Sequence, residues 1–333
     1  MSAYVKGISY YLPELEITNE QLSTEFPEWD VAKISSKIGI SSRYITDKNE
    51  FTADIAVKAA RKLIEEYDLS PTAFDVLMLC TQTPDYFLPA TACIVQDRLG
   101  LSTRTAAFDF NQGCSGYIYG LAMAKGFIAA GIAKNVLLIT AETYSKHIHP
   151  KDKGNRTVFG DAAAATWISG DDGWAEIGEF ELGTDGSGAN NLIVKNGAGR
   201  SPKSNQEILS EEDIITSGDY LYMNGPEIFN FTIKSVPLLV NSTLDANGLS
   251  MPEVDQFLFH QANKYMLDHL RKKVGIPQEK FLQHMEYCGN TVSSTIPIAL
   301  KEFVSKNKFD KGQTLLLAGF GVGYSWGGTV LKF

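Results

Sequence analysis

The chain has no apolar run of about 18–20 residues, so no membrane-spanning helix is expected. Its first residues, Met1 to Ile8, lack a basic stretch followed by an apolar core, and no secretory leader is expected. Only four cysteines occur in 333 residues (Cys80, Cys93, Cys114 and Cys288), and no two are spaced Cys-x-x-Cys. That argues against a disulfide frame or a zinc ribbon; cysteines in or beside apolar runs fit reduced thiols of a cytoplasmic protein. A surplus of positive charge is also missing. Lys and Arg number 30 against 39 Asp and Glu, a net charge of −9, which argues against nucleic acid as a main partner.

What the chain does contain is a loose internal duplication. In the first half, Phe74 to Cys80 reads as a buried strand, followed by an amphipathic stretch from Ala90 to Leu99. A strand over Ala106–Phe110, a Gly113-Cys114-Ser115 turn, a small-residue helix and a strand from Asn135 to Ile139 complete that half. The second half repeats the order: a strand Val254–His260, a helix Gln261–Val274, the turn Gly289-Asn290-Thr291, a helix to about Lys306, and a strand Thr314–Leu317. The spacing from Gly100 to Cys114 matches that from Gly275 to Asn290 to within one residue. Strands alternating with helices of this length predict βαβ units. The fold class predicted is α/β, with two pseudo-symmetric halves over residues 1–174 and 175–333. The polar, glycine-bearing stretch Gly183–Ser217 reads as a surface connection over the site.

The duplication aligns Cys114 with Asn290 and Cys80 with His260, each beyond the carboxyl end of a strand, where open α/β sheets gather ligands. A lone cysteine is usually a buried small hydrophobe. Glycine on either side of Cys114-Ser115 argues instead for a turn shaped to present a nucleophile, with a helix N-terminus favouring thiolate. Cys114, His260 and Asn290 thus form a candidate constellation for covalent catalysis. His147 and His149 make a weak metal hint without a third ligand, and His269 and His284 fall in charged segments expected to be exposed. The turn Gly319-Phe320-Gly321-Val322-Gly323 fits neither a dinucleotide nor a Walker pattern. It suits close backbone approach to a substrate, with an N–H in an oxyanion hole.

These motifs resemble the β-ketoacyl-acyl carrier protein synthase III family of thiolase-fold condensing enzymes, over the whole chain. The matching segments are Gly113-Cys114-Ser115-Gly116, Phe159-Gly160-Asp161, Tyr222-Met223-Asn224-Gly225, His260-Gln261-Ala262-Asn263, Gly289-Asn290-Thr291 and the terminal glycine turn. The resemblance implies a layered α-β-α-β-α thiolase-like fold, a homodimer and no metal or redox cofactor. It implies that Cys114 takes an acyl group from acyl-CoA, with the backbone N–H groups of Cys114 and Val322 as oxyanion hole. His260 and Asn290 would then stabilise the enolate formed when malonyl-acyl carrier protein loses CO2. Phe87 and Leu88 correspond to a segment that reaches into the partner's acyl pocket in relatives. Lys264, Arg271 and Lys272 form a basic helix face, interrupted by Asp268, for docking the acidic carrier.

The chain departs from the family pattern around CoA. Initiating members carry Trp and Arg about an Arg-Thr-Gly-Ile motif, where this chain has Ser36-Lys37-Ile38-Gly39-Ile40, and its nearest tryptophan is Trp29. Tyr265 stands where relatives carry a docking Arg, and Arg156 lacks the usual spacing of a CoA-contacting Arg. Two other readings stay open: transfer of the acyl group from Cys114 to a hydroxyl or amine in a specialised pathway, and a non-catalytic partner subunit. Release of CO2 from malonyl thioester separates the first from condensation, and covalent acylation separates both from the second.

Overall fold

The computed structural model describes residues 2–28, 30–204, 217–306 and 309–333; Trp29 lies outside them. The strands of the first half are β1 (Tyr4–Tyr11), the small antiparallel pair β2 (Leu15–Thr18) and β3 (Ser42–Ile45), β4 (Val76–Cys80), β5 (Ala106–Phe110), β6 (Asn135–Glu142) and β7 (Ala162–Ser169). The second half contributes β8 (Ala175–Ile177), β9 (Glu181–Thr184), the pair β10 (Leu192–Val194) and β11 (Leu221–Met223), β12 (Gln256–Phe259), β13 (Phe281–Leu282), β14 (Thr314–Gly321) and β15 (Ser325–Lys332). The helices are α1 (Asn19–Glu25), α2 (Val31–Ile38), α3 (Thr52–Glu66), α4 (Thr91–Arg98), α5 (Gly116–Ala129), α6 (Lys153–Val158), α7 (Gly225–Ala246), α8 (Lys264–Val274) and α9 (Thr295–Lys306).

The duplication read in the sequence is written into the hydrogen bonding. One half runs β5-β4-β6-β7-β1 and the other β13-β12-β14-β15-β8, the same order of strands in each. In both, the second strand lies parallel to its two neighbours, and the last lies antiparallel to its own two. The halves join where Tyr4 and Val5 of β1 pair with Glu176 and Ala175 of β8.

Side chains alternate across a strand, so each sheet presents two apolar faces, and both are covered. Leu77, Leu79, Leu137 and Ile139 pack with α3 and α4 on one outer side. Val76, Met78, Val136 and Leu138 turn the other way, onto Tyr117, Ile118 and Leu121 of α5 and Ile296 and Leu300 of α9. Leu258, Leu315 and Leu317 of the second sheet close on the same central helices. Phe257, Phe259, Leu316 and Phe320 face α7 and α8 on the far side. The layers are therefore α-β-α-β-α, and α5, apolar nearly all round, occupies the middle, its first turns almost wholly buried and its last turn reaching the surface at Gly126 and Ala129. Each buried leucine in these layers stabilises the fold by roughly 1.5–3 kcal/mol.

Two segments differ from expectation. The helix predicted from Gln261 begins at Lys264, because Asn263 caps it, accepting the Met266 N–H at 2.9 Å. The stretch from Gly183 is more than a surface connection: β9 pairs with β15, and β10 with β11. Its turn at Gly186–Asn191 lies against the glycine turn, with Asn191 Nδ2 donating to the Tyr324 hydroxyl at 2.7 Å. Residues 205–216 of that stretch lie outside the described residues.

Candidate active site

Cys114 is buried in the turn between β5 and α5. The turn is pressed between halves: Ser115 and Ser325 share a hydroxyl hydrogen bond of 2.7 Å, and a β-carbon on Gly319 would lie 3.0 Å from the Cys114 carbonyl oxygen. Burial pushes the Cys114 thiol up to about 12, and the nearby Glu142 charge pushes the same way. The backbone N–H groups of Val322 and of Cys114 itself act against both. The expectation of a stabilised thiolate is thus corrected. Two N–H donors and the N-terminus of α5 favour thiolate, but the loss of solvent outweighs them in the free enzyme.

His260 follows β12 and donates its backbone N–H to Ala318 of β14 at 2.8 Å, so one strand touches both the cysteine turn and the histidine. Its ring stands edge-on to Phe320, with centroids 5.7 Å apart, and burial alone pushes its pKa down to about 3. The imidazole is therefore neutral at physiological pH. Its Nδ1 lies 2.7 Å from the Thr295 hydroxyl. Asn290 is held by its backbone, which donates to the Val158 carbonyl at 2.8 Å and accepts from the Gly160 N–H at 3.1 Å. Its side-chain Oδ1 accepts the Val292 N–H at 2.9 Å, which leaves Nδ2 as the atom free to donate. Val292 takes φ +55°, unusual for a β-branched residue, to bring that N–H round.

Glu142 and Thr295 were not singled out in the sequence. Glu142 ends β6 fully buried, accepting the Gln82 N–H at 3.0 Å and the Ser293 hydroxyl at 2.7 Å. A carboxylate three residues beyond the apolar run Val136–Ile139, still on the same strand, was the available signal. For Thr295 the sequence offers none.

At the periphery, Phe87 and Leu88 are each 82% exposed, beside Tyr86 at 62%. Of the basic face on α8, Lys264 pairs with Asp268, and Arg271 donates to the Ile276 carbonyl at 3.0 Å, leaving Lys272 exposed without a partner in the described residues. Gly39 of the Ser36–Ile40 segment abuts Lys264, and a cleft of about 640 Å³ lined by Ser36, Gly39, Lys264 and Met285 opens there. Arg156 pairs with Glu25 at 2.6 Å. His149 is buried against Tyr220, and the expectation of an exposed His284 is corrected: it is half-buried, its pKa lowered by burial, and its backbone N–H donates to Gln261 Oε1 at 2.6 Å. Among the described residues no group of three or more His, Cys, Asp or Glu could hold a metal ion, and no helix is long and apolar enough to cross a membrane.

A duplicated five-layer α/β fold with a buried cysteine at the N-terminus of its central helix, walled by the glycine turn of the other half, is the architecture of the thiolase-fold condensing enzymes. Models of 3-oxoacyl-[acyl-carrier-protein] synthase III match residues 108–186, and of its C-terminal part residues 244–333. A beta-ketoacyl-[acyl-carrier-protein] synthase III of Clostridium perfringens is 37% identical over 331 residues, 99% of each chain. Among solved structures, a 3-oxoacyl-(acyl-carrier-protein) synthase III is 46% identical with a TM-score of 0.96, covering 100% of both chains. A 3-oxoacyl-(acyl-carrier protein) synthase from Burkholderia xenovorans is 36% identical with a TM-score of 0.92, covering 100% of this chain and 94% of that one. The chain belongs to the β-ketoacyl-acyl carrier protein synthase III family, and is an acyltransferase-type condensing enzyme.

Proposed function

We propose that Cys114 is the nucleophile of a ping-pong condensation primed by acyl-CoA and completed with malonyl-acyl carrier protein. The observation that carries this is the pair of backbone N–H groups, from Cys114 and Val322, directed at the Cys114 sulfur from opposite halves of the chain. Donors gathered at that point suit the oxyanion of a thioester under attack by the same sulfur. Cys114 loses its proton, its sulfur bonds to the acyl carbon, and the CoA thiolate departs and takes up a proton. Approach of substrate into a buried site keeps water from the acyl-enzyme.

In the second half-reaction the malonyl thioester oxygen sits between Asn290 Nδ2 and His260 Nε2. Loss of CO2 leaves an enolate whose charge these two donors stabilise, each contributing on the order of 3 kcal/mol. Its carbon attacks acyl-Cys114, forming the β-ketoacyl thioester and releasing the Cys114 thiolate. Decarboxylation supplies the driving force, so no metal or redox cofactor is required. The cleft beside Gly39 and Lys264 suits the pantetheine arm of either substrate, with Lys272 as the accessible charge for the carrier. The exposed Phe87 and Leu88 suit a second copy of the chain, closing each other's acyl pockets in a homodimer of the cytoplasm.

Intact-protein mass after incubation with acyl-CoAs from acetyl to long-chain tests the assignment. An acyl adduct on the wild type, absent from Cys114→Ala, is the expected result, and the best-loaded chain identifies the primer. Condensation activity retained by Cys114→Ala would rule the nucleophile out.

A further inference from the structure

We propose that Thr295 is a positioning residue that fixes the imidazole of His260 in its Nε2–H tautomer, so that the ring presents a donor to substrate. The proposal rests on the reading of His260 as an enolate-stabilising donor. A neutral imidazole carries one N–H, and which nitrogen bears it is set by the partner of the other. Nδ1 lies 2.7 Å from the Thr295 hydroxyl, and no other side chain among the described residues bonds the ring. The hydroxyl has one proton and two acceptors within reach, Nδ1 at 2.7 Å and the Val292 carbonyl at 3.1 Å.

Given to Nδ1, that proton leaves the hydrogen on Nε2. Given to the Val292 carbonyl, it would leave Nε2 as a lone pair, which repels the oxygen that the site has to stabilise. At 3.1 Å the Val292 carbonyl lies beyond the roughly 2.5–3.0 Å of a good O–H···O bond, which favours the first arrangement. A second feature of the same turn points the same way. The Val292 N–H occupies Asn290 Oδ1 and turns the amide NH2 outward, at the cost of a left-handed backbone at Val292. One short segment, Asn290 to Thr295, thereby takes up the non-donating atom of both side chains, and leaves two donors for one oxygen.

Two-bond 1H–15N correlation spectra of 15N-histidine-labelled protein test this, with the His260→Ala spectrum assigning the ring among the five histidines. The wild type is expected to show the Nε2–H pattern at neutral pH. Thr295→Val, which keeps the shape but not the hydroxyl, should move His260 toward the Nδ1–H form or a mixture. It should slow release of CO2 from malonyl carrier protein roughly 100-fold, with acylation of Cys114 changed less than about threefold. Thr295→Ser should restore both tautomer and rate.

An Nδ1–H wild type overturns the proposal without recourse to any variant, as does a folded Thr295→Val protein that keeps Nε2–H, or a serine variant that behaves like valine. Should the wild type release no CO2 from malonyl carrier protein, the functional reading falls instead, and the spectra still decide the tautomer.

Discussion

Gly321 stands against Cys114 so closely that a β-carbon on it would lie 2.9 Å from the sulfur and 2.7 Å from the cysteine Cβ. The glycine turn is therefore the wall of the Cys114 thiol, the proposed nucleophile, and its neighbour Val322 supplies an N–H to the sulfur. Gly321→Ala should displace either the turn or the thiol. Loading of acyl groups is expected to fall about 100-fold, as for loss of an oxyanion donor, in a protein that still folds. Adduct formation followed by mass against time checks it; wild-type loading would mean that the wall can yield.

Asn290→Asp keeps the acceptor for the Val292 N–H but removes the NH2 donor. Decarboxylation of malonyl carrier protein should drop roughly 100-fold while acylation of Cys114 stays within about threefold. Separate assays of the two half-reactions decide the matter, since equal losses in both would mark Asn290 as structural.

Glu142 carries a pH signature. Burial pushes its pKa from 4.5 up to about 8, partly offset by the Gln82 N–H and the Ser293 hydroxyl. The native state thus holds a proton that the unfolded chain releases above pH 4.5, so the contribution is full below 4.5 and is lost as pH rises through 8. Glu142→Gln should flatten the fall in melting temperature between about pH 5 and pH 8. An unchanged slope in thermal unfolding would place the pH dependence elsewhere.

Phe87 and Leu88, each 82% exposed, make an apolar tip that a lone chain leaves in water. Phe87→Ser with Leu88→Ser is expected to shift the acyl-chain preference of loading and to weaken self-association, read by sedimentation at several concentrations. A monomeric wild type would remove the basis for the partner-pocket reading.

Much of the fold was legible because the inner strands β4, β6, β12 and β14 are largely apolar on both faces and each crossover helix has a recognisable length. β5 was placed residue for residue, and the duplication rested on turn spacing that the strand order repeats. Burial was less legible. His284 sits among charged residues in sequence but is half-covered in the fold, and Arg271 spends its charge on the Ile276 carbonyl, just past the cap of its own helix. A basic face seen on a helical projection therefore overstated what is free to dock.

By itself the sequence determined which residues could do the chemistry and roughly where each stands in its half. A turn's glycines, a strand's apolar run and a repeated spacing are local properties, and local sterics and periodicity govern them. Only the tertiary structure decided what those residues are in place. The protonation of Cys114 depends on water excluded by both halves and on an N–H from more than two hundred residues away. The surroundings of the His260 ring and the Asn290 amide, a hydroxyl at Nδ1 and an N–H at Oδ1, come from one strained turn. Desolvation and hydrogen-bond partners arise from chain segments meeting in space, and no spacing along the chain records them.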